Sequence, residues 1–443
     1  MAPMTRAILW FGLYLFLIVF PLMVGANWPG QAAGRPFWMQ FGVACGFVAF
    51  SIMALEFALI SKVQSVSSAF GQDVLLQFHR QMGMVASALI LIHSALMFLS
   101  GYPLAWLNPF DASNIWAMRW GIFAAMAILV LMVVSLGRKR LRLSYDGWQL
   151  THGFLAETAV LLSLVHLLMF GAFSAGQPMR LLLGVYCVLL LSLRVWFVVI
   201  KPIRMWSRPW EVLDNIPEHG DSRTLVLRPV GHSGFAFEPG QFAWLSARAT
   251  PFHKGWHPIS MSSCAPEEPG QSIAFTIKNL GDWSGDVVPA LQPGSKIWVD
   301  GPYGVFTPER EQGPGYVLIG GGAGITPLFS MCQTFAERGD ARPILLFFCG
   351  RDFESLTFLE QFEALQKQMN LKLVCVLEHP PENWTGETGR ITAEILRKHL
   401  PRQYKRHEYF ICGPPGLMDA MEKALVQIGV PAHHVHTERF DWV

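Results

Sequence analysis

The chain has 443 residues, of which 52% are hydrophobic and 15% are charged, whereas soluble proteins carry about 25% charged residues. With a mean hydropathy of +0.33, this composition excludes a disordered, collagen-like or disulfide-rich secreted chain and argues against a wholly soluble one. Residues 1–200 carry a net charge of +6 and residues 201–443 one of −4. We therefore expect a membrane half followed by a soluble half, with the basic excess belonging to membrane loops and not to a nucleic-acid partner.

Six apolar stretches are long enough to cross a bilayer as a helix, which needs about 20 residues. We predict them at 7–25, 37–60, 79–100, 116–136, 152–173 and 180–200. The first is not read as a cleavable signal peptide, because no small-residue cleavage site follows it and five further spans do. Basic residues gather on one side, such as Arg138 and Arg140 after the fourth span and Lys201 after the sixth. We therefore expect a multi-pass protein of the cell membrane with both termini cytoplasmic.

Four histidines lie within the predicted spans. His79 and His93 are on the third span, His152 and His166 are on the fifth, and each pair is separated by 14 residues. Fourteen residues of helix come within about 40° of whole turns and rise about 21 Å. Because the two spans run in the same direction, we expect His79 level with His152 near the cytoplasmic face and His93 level with His166 near the outer face.

Two facing imidazoles at each of two depths predict axial ligation of two stacked haem b groups, since histidine is a common axial haem ligand. The alternative is that each histidine only forms a hydrogen bond to a neighbouring helix. A zinc site is disfavoured because no third ligand lies within one turn of any of them. Arg80 and Arg194 either meet a haem propionate or extend to the lipid headgroups, and no role is assigned to Glu56 or Glu157.

After Pro202 the sequence changes to short strand-like runs separated by turns. The runs 223–230, 241–247, 272–278 and 296–304 predict a small antiparallel β-barrel ending near residue 309. From residue 316 strand and helix patterns alternate, which is typical of a parallel α/β sheet. We therefore expect domains at 1–203, 204–309 and 310–443.

Two glycine-rich turns follow strands of the last domain. They are 320-GGGAGITP-327 and 412-CGPPG-416. Glycine lets the backbone approach a pyrophosphate, and the start of a helix supplies free N–H groups and the positive end of its dipole. Two such turns at strand ends predict a dinucleotide site.

The segment 257-HPISMSS-263 resembles the flavin-binding motif of the NADPH oxidase and ferric reductase superfamily. In that family's order there follow 275-FTIKNLGDWS-284, 300-DGPYG-304 and the two glycine-rich turns. With the paired histidines upstream, the resemblance extends over nearly the whole chain. It implies a six-helix transmembrane haem bundle, an antiparallel β-barrel FAD domain and a Rossmann-like α/β NAD(P)H domain of the ferredoxin-reductase type.

The resemblance also implies roles for individual residues. Those expected to line the isoalloxazine are His257, Pro258, Ile259 and Ser260. Those expected to hold the FAD pyrophosphate are Lys278, Trp283 and Ser284. Those expected to cradle the nicotinamide nucleotide are Gly320, Gly321, Gly322, Gly324 and Thr326. Those expected beside the nicotinamide are Cys412, Gly413 and Pro414, with an inert buried thiol as the alternative for Cys412.

Two further positions bear on the cofactors. The end of the chain resembles the terminal Glu-x-Phe of these reductases, whose aromatic ring covers the flavin, so this role is carried to Phe440. Because the chain continues past that residue, Trp442 is a competitor for the role. Arg351 follows the second strand of the last domain, where a 2′-phosphate would sit, and it favours NADPH over NADH although Asp352 is adjacent.

Together these features imply electron transfer from NADPH through FAD and two haems to an external acceptor across the lipid bilayer. The acceptor is dioxygen or a ferric chelate. Met97 stands where eukaryotic oxidases of the family have a further histidine, which argues against a specialised oxygen site. The alternative is a haem and flavin membrane reductase that donates electrons to a protein or quinone, although the sequence indicates no protein partner. A passive haem sensor would not need the flavin and nucleotide modules.

Overall fold

Long apolar helices make up the first half of the chain. A computed structural model describes residues 3–26, 36–61, 64–171, 176–253 and 255–439, and it separates into two units, 1–201 and 202–443. The helices of the first unit are α1 (Pro3–Ala26), α2 (Phe37–Leu59), α3 (Gln64–Phe70), α4 (Gln72–Leu99), α5 (Trp116–Leu136), α6 (Tyr145–Phe170) and α7 (Gln177–Val195). A π turn at Trp196–Ile200 leads from α7 into α8 (Lys201–Trp206). In the described residues, six helices are long and apolar enough to span a membrane.

All six predicted spans are present, but some predicted ends are wrong. The third span, helix α4, begins at Gln72, and the fifth span, helix α6, begins at Tyr145. His79 and His152 therefore each lie about two turns inside their helices. The sixth helical segment continues to Trp206. Hydropathy detects only the apolar part of a helix. The true start of α6 is set by Ser144, whose hydroxyl accepts a hydrogen bond from the backbone N–H of Gly147.

Helices α2 and α5 support the two helices that carry the histidines. Helix α2 packs along α4, and α5 packs along α6. Of the six spans, α2 has the largest buried share, and its Phe47 and Phe50 pack with Val160 and Leu183. The histidine-bearing helices therefore each have a neighbour close enough to supply hydrogen-bond partners.

The second unit opens with a six-stranded antiparallel sheet. Its strands are β1 (Trp210–Glu218), β2 (Ser222–Pro229), β3 (Phe242–Ser246), β4 (His257–Ser260), β5 (Ile273–Lys278) and β6 (Lys296–Tyr303). They lie in the order β4-β3-β6-β1-β2-β5. Within the described residues one isolated bridge, between Met261 and Phe275, joins the two edges. The sheet is thus antiparallel, as predicted, without a continuous closed barrel. A core that includes Trp210, Leu225 and Phe275 fills its concave side.

A parallel sheet with helices on both faces completes the chain. Its strands are β7 (Tyr316–Gly321), β8 (Ile344–Gly350), β9 (Leu371–Leu377), β10 (Glu387–Thr388), β11 (Glu408–Cys412) and β12 (Val435–Glu438), in the order β10-β9-β8-β7-β11-β12. The helices of this unit are α9 (Val288–Ala290), α10 (Ile325–Glu337), α11 (Leu359–Leu365), α12 (Ala393–His399) and α13 (Pro415–Ile428). The strand order reverses between β7 and β11, where open α/β sheets bind ligands.

Alternate residues of β7 enter two separate cores. Leu318 packs into a cluster with Leu328 of α10 and Phe362 of α11. Its neighbour Ile319 packs into a cluster with Leu396 of α12 and Leu425 of α13. Because successive side chains of a strand point to opposite faces, an unbroken apolar run is what a strand covered on both sides requires.

Candidate functional site

The four intramembrane histidines form two facing pairs. The ring centres of His79 and His152 are 6.1 Å apart, with an angle of 69° between the ring planes. Those of His93 and His166 are 6.4 Å apart, with an angle of 73°. The structure thus places His79 beside His152 and His93 beside His166, as the 14-residue spacing predicts. We call His79 and His152 the first pair, and His93 and His166 the second pair.

In all four rings the Nδ1 atom already has a partner. Within the first pair, His79 Nδ1 lies 2.5 Å from Oε2 of Glu56, and His152 Nδ1 lies 2.9 Å from the hydroxyl of Ser135. Within the second pair, His93 Nδ1 lies 2.8 Å from the carbonyl oxygen of Gly42, and His166 Nδ1 lies 2.7 Å from that of Ala117. Such partners fix the tautomer of a metal-ligating histidine and leave Nε2 as its ligand atom.

The pair geometry fits one metal ion between each two rings. Two imidazoles on opposite sides of an ion, with metal–nitrogen bonds of about 2 Å and about 1.2 Å from nitrogen to ring centre, would have centres about 6.4 Å apart. The observed 6.1 and 6.4 Å agree with this distance. A site with only two opposed imidazoles suits an iron whose other ligands come from a porphyrin. The residues present therefore fit two bis-histidine haems.

Two glycines give the second pair its space. A Cβ atom built on Gly46 of α2 would lie 2.9 Å from His93 Nδ1, and one built on Gly121 of α5 would lie 2.7 Å from His166 Nδ1. Any larger residue would therefore displace the imidazole from its carbonyl partner. These glycines were not singled out from the sequence. Their presence on two apolar helices did not mark them as part of a histidine site, because glycine is common in membrane helices for other reasons.

Two carboxyl groups within the membrane also have definite partners. Glu56 of α2 is 6% exposed and accepts hydrogen bonds from His79 and from the hydroxyl of Tyr14, at 3.2 Å. Glu157 of α6 forms an ion pair with Arg194 of α7 at 2.9 Å. No role could be assigned to Glu56 or Glu157 from the sequence. The partners of Glu56 lie 23 and 42 residues away along the chain, and that of Glu157 lies 37 residues away.

A second candidate site is a cleft of about 900 Å³ at the carboxyl ends of β7, β8 and β9. Both predicted glycine-rich turns meet there, since Cys412 at the end of β11 is in register with Gly320 at the end of β7. Gly321, Gly322 and Pro414 line the cleft, and Thr326 is buried in the first turn of α10. Cys412 itself is fully buried. The cleft coincides with the reversal of strand order.

The turn after β7 depends on close backbone approach. A Cβ atom on Gly324 would overlap the carbonyl oxygen of Cys412, and one on Gly413 would lie 2.6 Å from Leu417 Cδ2. Within the described residues no side chain caps the N-terminus of α10 or of α13. The Ile325 N–H already donates to the Gly322 carbonyl and the Leu417 N–H to that of Pro414, and Pro327 and Pro415 have no N–H. The N–H groups of Thr326 and Gly416 are therefore the candidates to donate to a pyrophosphate at these two helix starts.

Side chains of both charges line the cleft: its cations are Lys278, Arg351 and Arg390, and its carboxyl groups are those of Glu218, Asp221, Asp352, Glu354 and Glu378. Lys278, from the end of β5, lines it, and its Nζ lies 3.9 Å from where a Cβ of Gly322 would be. Arg351, which follows β8, lines it with an exposed side chain. The neighbouring carboxylate of Asp352 instead accepts the backbone N–H of Ser355 in a capping box. Cys349 also lines the cleft, and burial raises the pKa of its thiol to about 12, so it stays protonated.

The predicted flavin-binding residues lie on β4 and on the turn after β5. His257 stacks on Trp283 with ring centres 4.2 Å apart. Pro258 and Ile259 pair with β3, and Ser260 is buried. The Ser284 hydroxyl accepts the N–H groups of Leu280 and Gly281 and donates to the Gly281 carbonyl. It therefore shapes the turn in this structure. Phe440 and Trp442 lie outside the described residues.

Models of known protein families match a segment of each half. The model of the ferric reductase like transmembrane component matches residues 45–163, and that of the oxidoreductase NAD-binding domain matches residues 318–423. The two matches lie in the order of a ferric reductase/NADPH oxidase-like architecture. With six apolar helices in the same structure, the chain is a multi-pass membrane protein.

Curated relatives resemble about half of the chain or less. The reductase component of propane 2-monooxygenase from Mycolicibacterium goodii is 31% identical over 52% of this chain and 66% of its own length. The flavohemoprotein of Deinococcus radiodurans is 30% identical over 53% of this chain and 59% of its own length. NADH-cytochrome b5 reductase 1 of Debaryomyces hansenii is 32% identical over 31% of this chain and 49% of its own length. The matches thus span between about half and two thirds of these relatives.

Solved structures with similar folds were also found. The FAD/NAD-binding domain of nitric oxide dioxygenase from Vibrio cholerae is 20% identical, with a TM-score of 0.47, and the match covers 53% of this chain and 98% of that one. A flavohemoglobin from Malassezia yamatoensis is 15% identical, with a TM-score of 0.48, and the match covers 92% of this chain and 100% of that one.

Gly121→Ala tests the space around the second pair. We expect the added methyl group to displace His166, so that the purified protein holds one haem where the parent holds two, measured by the pyridine haemochrome assay. Gly83→Ala on α4 is the matched control, because a Cβ there meets nothing within 4 Å. Equal haem content in the parent and both variants would contradict the prediction.

Gly324→Ala tests the nucleotide turn. Since the new methyl group overlaps Cys412, the turn must move, and we expect NADPH to bind at least about tenfold more weakly, a loss of about 1.4 kcal/mol. Titration of the purified protein with NADPH measures this. Gly83→Ala, on α4 and with open space around its Cβ, should bind NADPH like the parent, and an equal loss in both variants would argue against a specific effect at Gly324.

Proposed function

We propose that this chain transfers electrons from cytosolic NADPH through FAD and two haem b groups to an acceptor on the other side of the membrane. The proposal rests on one observation above all. Four imidazoles stand in two pairs with ring centres 6.1 and 6.4 Å apart, and every Nδ1 has a partner. A pair that served only to join helices would not need two rings opposed across the width of a metal ion.

The four histidines are the proposed haem ligands. His79 and His152 would hold the inner haem, and His93 and His166 the outer haem. With both termini on the cytoplasmic side, as the basic loops favour, the first pair lies towards the cytoplasmic face. When bound, FAD would take up the two electrons of one hydride and pass them on singly, and haem iron would supply one-electron transfer. The chain's own residues bind and orient these groups.

The cleft at the strand-order reversal is the proposed NADPH site. Gly320, Gly321, Gly322 and Gly324 leave room for the pyrophosphate beside the uncapped helix starts, and Thr326 begins α10. Arg351 is proposed to bind the 2′-phosphate, because the carboxylate of Asp352 is engaged by Ser355. Cys412, Gly413 and Pro414 end the neighbouring strand, where the nicotinamide would lie. No side chain is assigned to acid–base work in the hydride step.

FAD is proposed to bind across β4 and the turn after β5. His257, Pro258, Ile259 and Ser260 would line the isoalloxazine, with Lys278 and Trp283 towards the pyrophosphate. Ser284 would hold the turn, and its hydroxyl would have to leave Gly281 to reach a phosphate. Phe440, or else Trp442, would cover the flavin. Closure of the antiparallel sheet into a barrel belongs to the same proposal.

A ferric chelate is the favoured acceptor, with dioxygen second. Met97 lies one turn after His93, is 7% exposed, and its Cε is within 2.6 Å of where a Cβ of Gly42 would be. This thioether is packed against α2 and provides no hydrogen-bond donor for bound oxygen. Outer-sphere transfer to a chelate needs no such donor.

A membrane quinone is a third candidate acceptor. An almost wholly apolar groove of about 310 Å³ lies between α1, α2, α3 and α4. Tyr14, which contacts Glu56, and Phe78, next to His79, are among the residues that line it. The groove therefore lies next to the first pair.

NADPH-reduced difference spectra test the proposal directly. We expect FAD-loaded protein in detergent to show reduction of two b-type haems on addition of NADPH, and His93→Ala to retain one reducible haem. Haem that stays oxidised although FAD is reduced would overturn the electron path. Retention of two haems in His93→Ala would overturn the ligand assignment.

Turnover assays identify the acceptor. We expect NADPH-driven reduction of ferric citrate by the protein in lipid nanodiscs. Superoxide dismutase should have little effect on any reduction of cytochrome c. Dismutase-sensitive reduction without ferric citrate turnover would favour dioxygen, and turnover with a water-soluble quinone alone would favour the quinone.

Arg351→Ala tests the nucleotide preference. Loss of a charge-assisted contact to the 2′-phosphate should raise the KM for NADPH about tenfold, equal to about 1.4 kcal/mol, and that for NADH less than about twofold. Steady-state kinetics with both nucleotides measure this. Arg402→Ala is a control at an exposed arginine that does not line the cleft. Equal rises for both nucleotides would contradict a 2′-phosphate contact.

A further inference from the structure

The four Nδ1 partners are not equivalent. Three histidines meet neutral oxygens, namely a serine hydroxyl and two backbone carbonyls. His79 alone among them meets a carboxyl group, that of Glu56, and at 2.5 Å this is the shortest of the four contacts. The asymmetry therefore belongs to the first pair, and within it to one ring.

Both oxygens of Glu56 act as acceptors. The hydroxyl of Tyr14 donates to Oε1, and Nδ1 of His79 contacts Oε2. With Nε2 as the ligand atom, Nδ1 carries the proton and is the donor. Glu56 is 6% exposed, and both of its oxygens have hydrogen-bond partners, so its carboxyl group is held in one position against His79.

We propose that Glu56 is a positioning residue that makes His79 a stronger electron donor than the other three ligands and so gives the inner haem the lower reduction potential. The inference rests on the proposed function, because it assumes that His79 binds haem iron. A carboxylate that accepts the proton of Nδ1 increases the basicity of the opposite nitrogen. A more basic ligand stabilises the oxidised, more positive state of the metal, and second-shell hydrogen bonding is a recognised means of setting haem potential.

The direction of this effect matches the direction of the proposed path. Electrons arriving from the nucleotide side reach the first pair before the second. A lower potential at the first pair makes the step to the second pair energetically downhill. The carbonyl oxygens of Gly42 and Ala117 lack a full negative charge, so the second pair receives no comparable stabilisation of its oxidised state.

A merely structural role for Glu56 predicts something different. If the carboxyl group served only to hold α1, α2 and α4 together through Tyr14 and His79, its replacement would change stability or haem retention without shifting the potential of haem that remains bound. Measurement of the midpoint potential therefore separates the two roles, and it does so without any assay of turnover.

The experiment uses the full-length protein in a single-haem background. His93→Ala should leave only the inner haem, whose midpoint potential is measured by spectroelectrochemical titration. Adding Glu56→Gln keeps the size and an acceptor oxygen but removes the charge. We expect the midpoint potential to rise by about 59 mV, which corresponds to a tenfold change in the one-electron equilibrium constant. Ser135→Ala, which removes the neutral acceptor from His152, is the matched control. It should change the same equilibrium constant by less than about threefold.

Tyr14→Phe is the second variant. Without the donor to Oε1, more of the negative charge is available to Nδ1, so we expect the potential to fall, opposite in sign to the effect of Glu56→Gln. This variant also decides the question if Glu56→Gln cannot retain haem. An unchanged potential in Tyr14→Phe, together with an unchanged potential or lost haem in Glu56→Gln, would overturn the inference.

Failure of the proposed function has a separate signature. If the parent protein binds no haem, or if His93→Ala retains two, the ligand assignment is wrong and the inference fails with it. If His93→Ala holds one haem with the spectrum of bis-histidine ligation while Glu56→Gln leaves its potential unchanged, the haem ligands stand and only the role of Glu56 is refuted.

Discussion

The structure depends on the hydrogen bond at Nδ1 of each intramembrane histidine. Leaving a buried polar group without a partner costs about 1–3 kcal/mol, and in lipid no water is present to replace the partner. Helices α2 and α5 carry none of the four histidines, yet they supply every Nδ1 partner. Once these contacts are made, Nδ1 of each ring is occupied and Nε2 is the ring nitrogen left for a metal ion. The distance between opposed rings then follows from how α2 and α5 hold α4 and α6.

This arrangement explains why the supporting helices contain glycine where the second pair packs. The carbonyl oxygens of Gly42 and Ala117 are ordinary helix carbonyls, and an imidazole reaches them only where the adjacent backbone has no side chain in the way. Gly46 and Gly121 provide that gap. At the first pair the partners are the longer side chains of Glu56 and Ser135, so the same approach of ring to backbone is not needed. The two levels therefore use different means to satisfy the same requirement.

Much of this could be predicted from the sequence. Hydropathy located all six helices, the 14-residue spacing paired the histidines correctly, and alternating strand and helix patterns located the main strands of the parallel sheet. Hydropathy failed at the ends of α4 and α6, because those turns are polar and are fixed by backbone and capping contacts such as Ser144 with Gly147. Strands β1, β4, β10 and β12 were not predicted. Strands β4 and β10 are only four and two residues long, and β1 and β12 carry charged and polar residues that weaken an apolar pattern.

The sequence by itself determined the candidate residues for the chemistry: four histidines at helical spacing, two glycine-rich turns after strands, and an arginine after a third strand. These are local patterns, and the periodicity of a helix or strand converts them into positions. Only the tertiary structure decided what each residue meets. That Glu56 contacts His79, that Arg194 pairs with Glu157, and that Ser284 is engaged within its own turn all depend on packing or loop conformation. Such contacts join residues whose separation along the chain follows no period, so no local pattern reveals them.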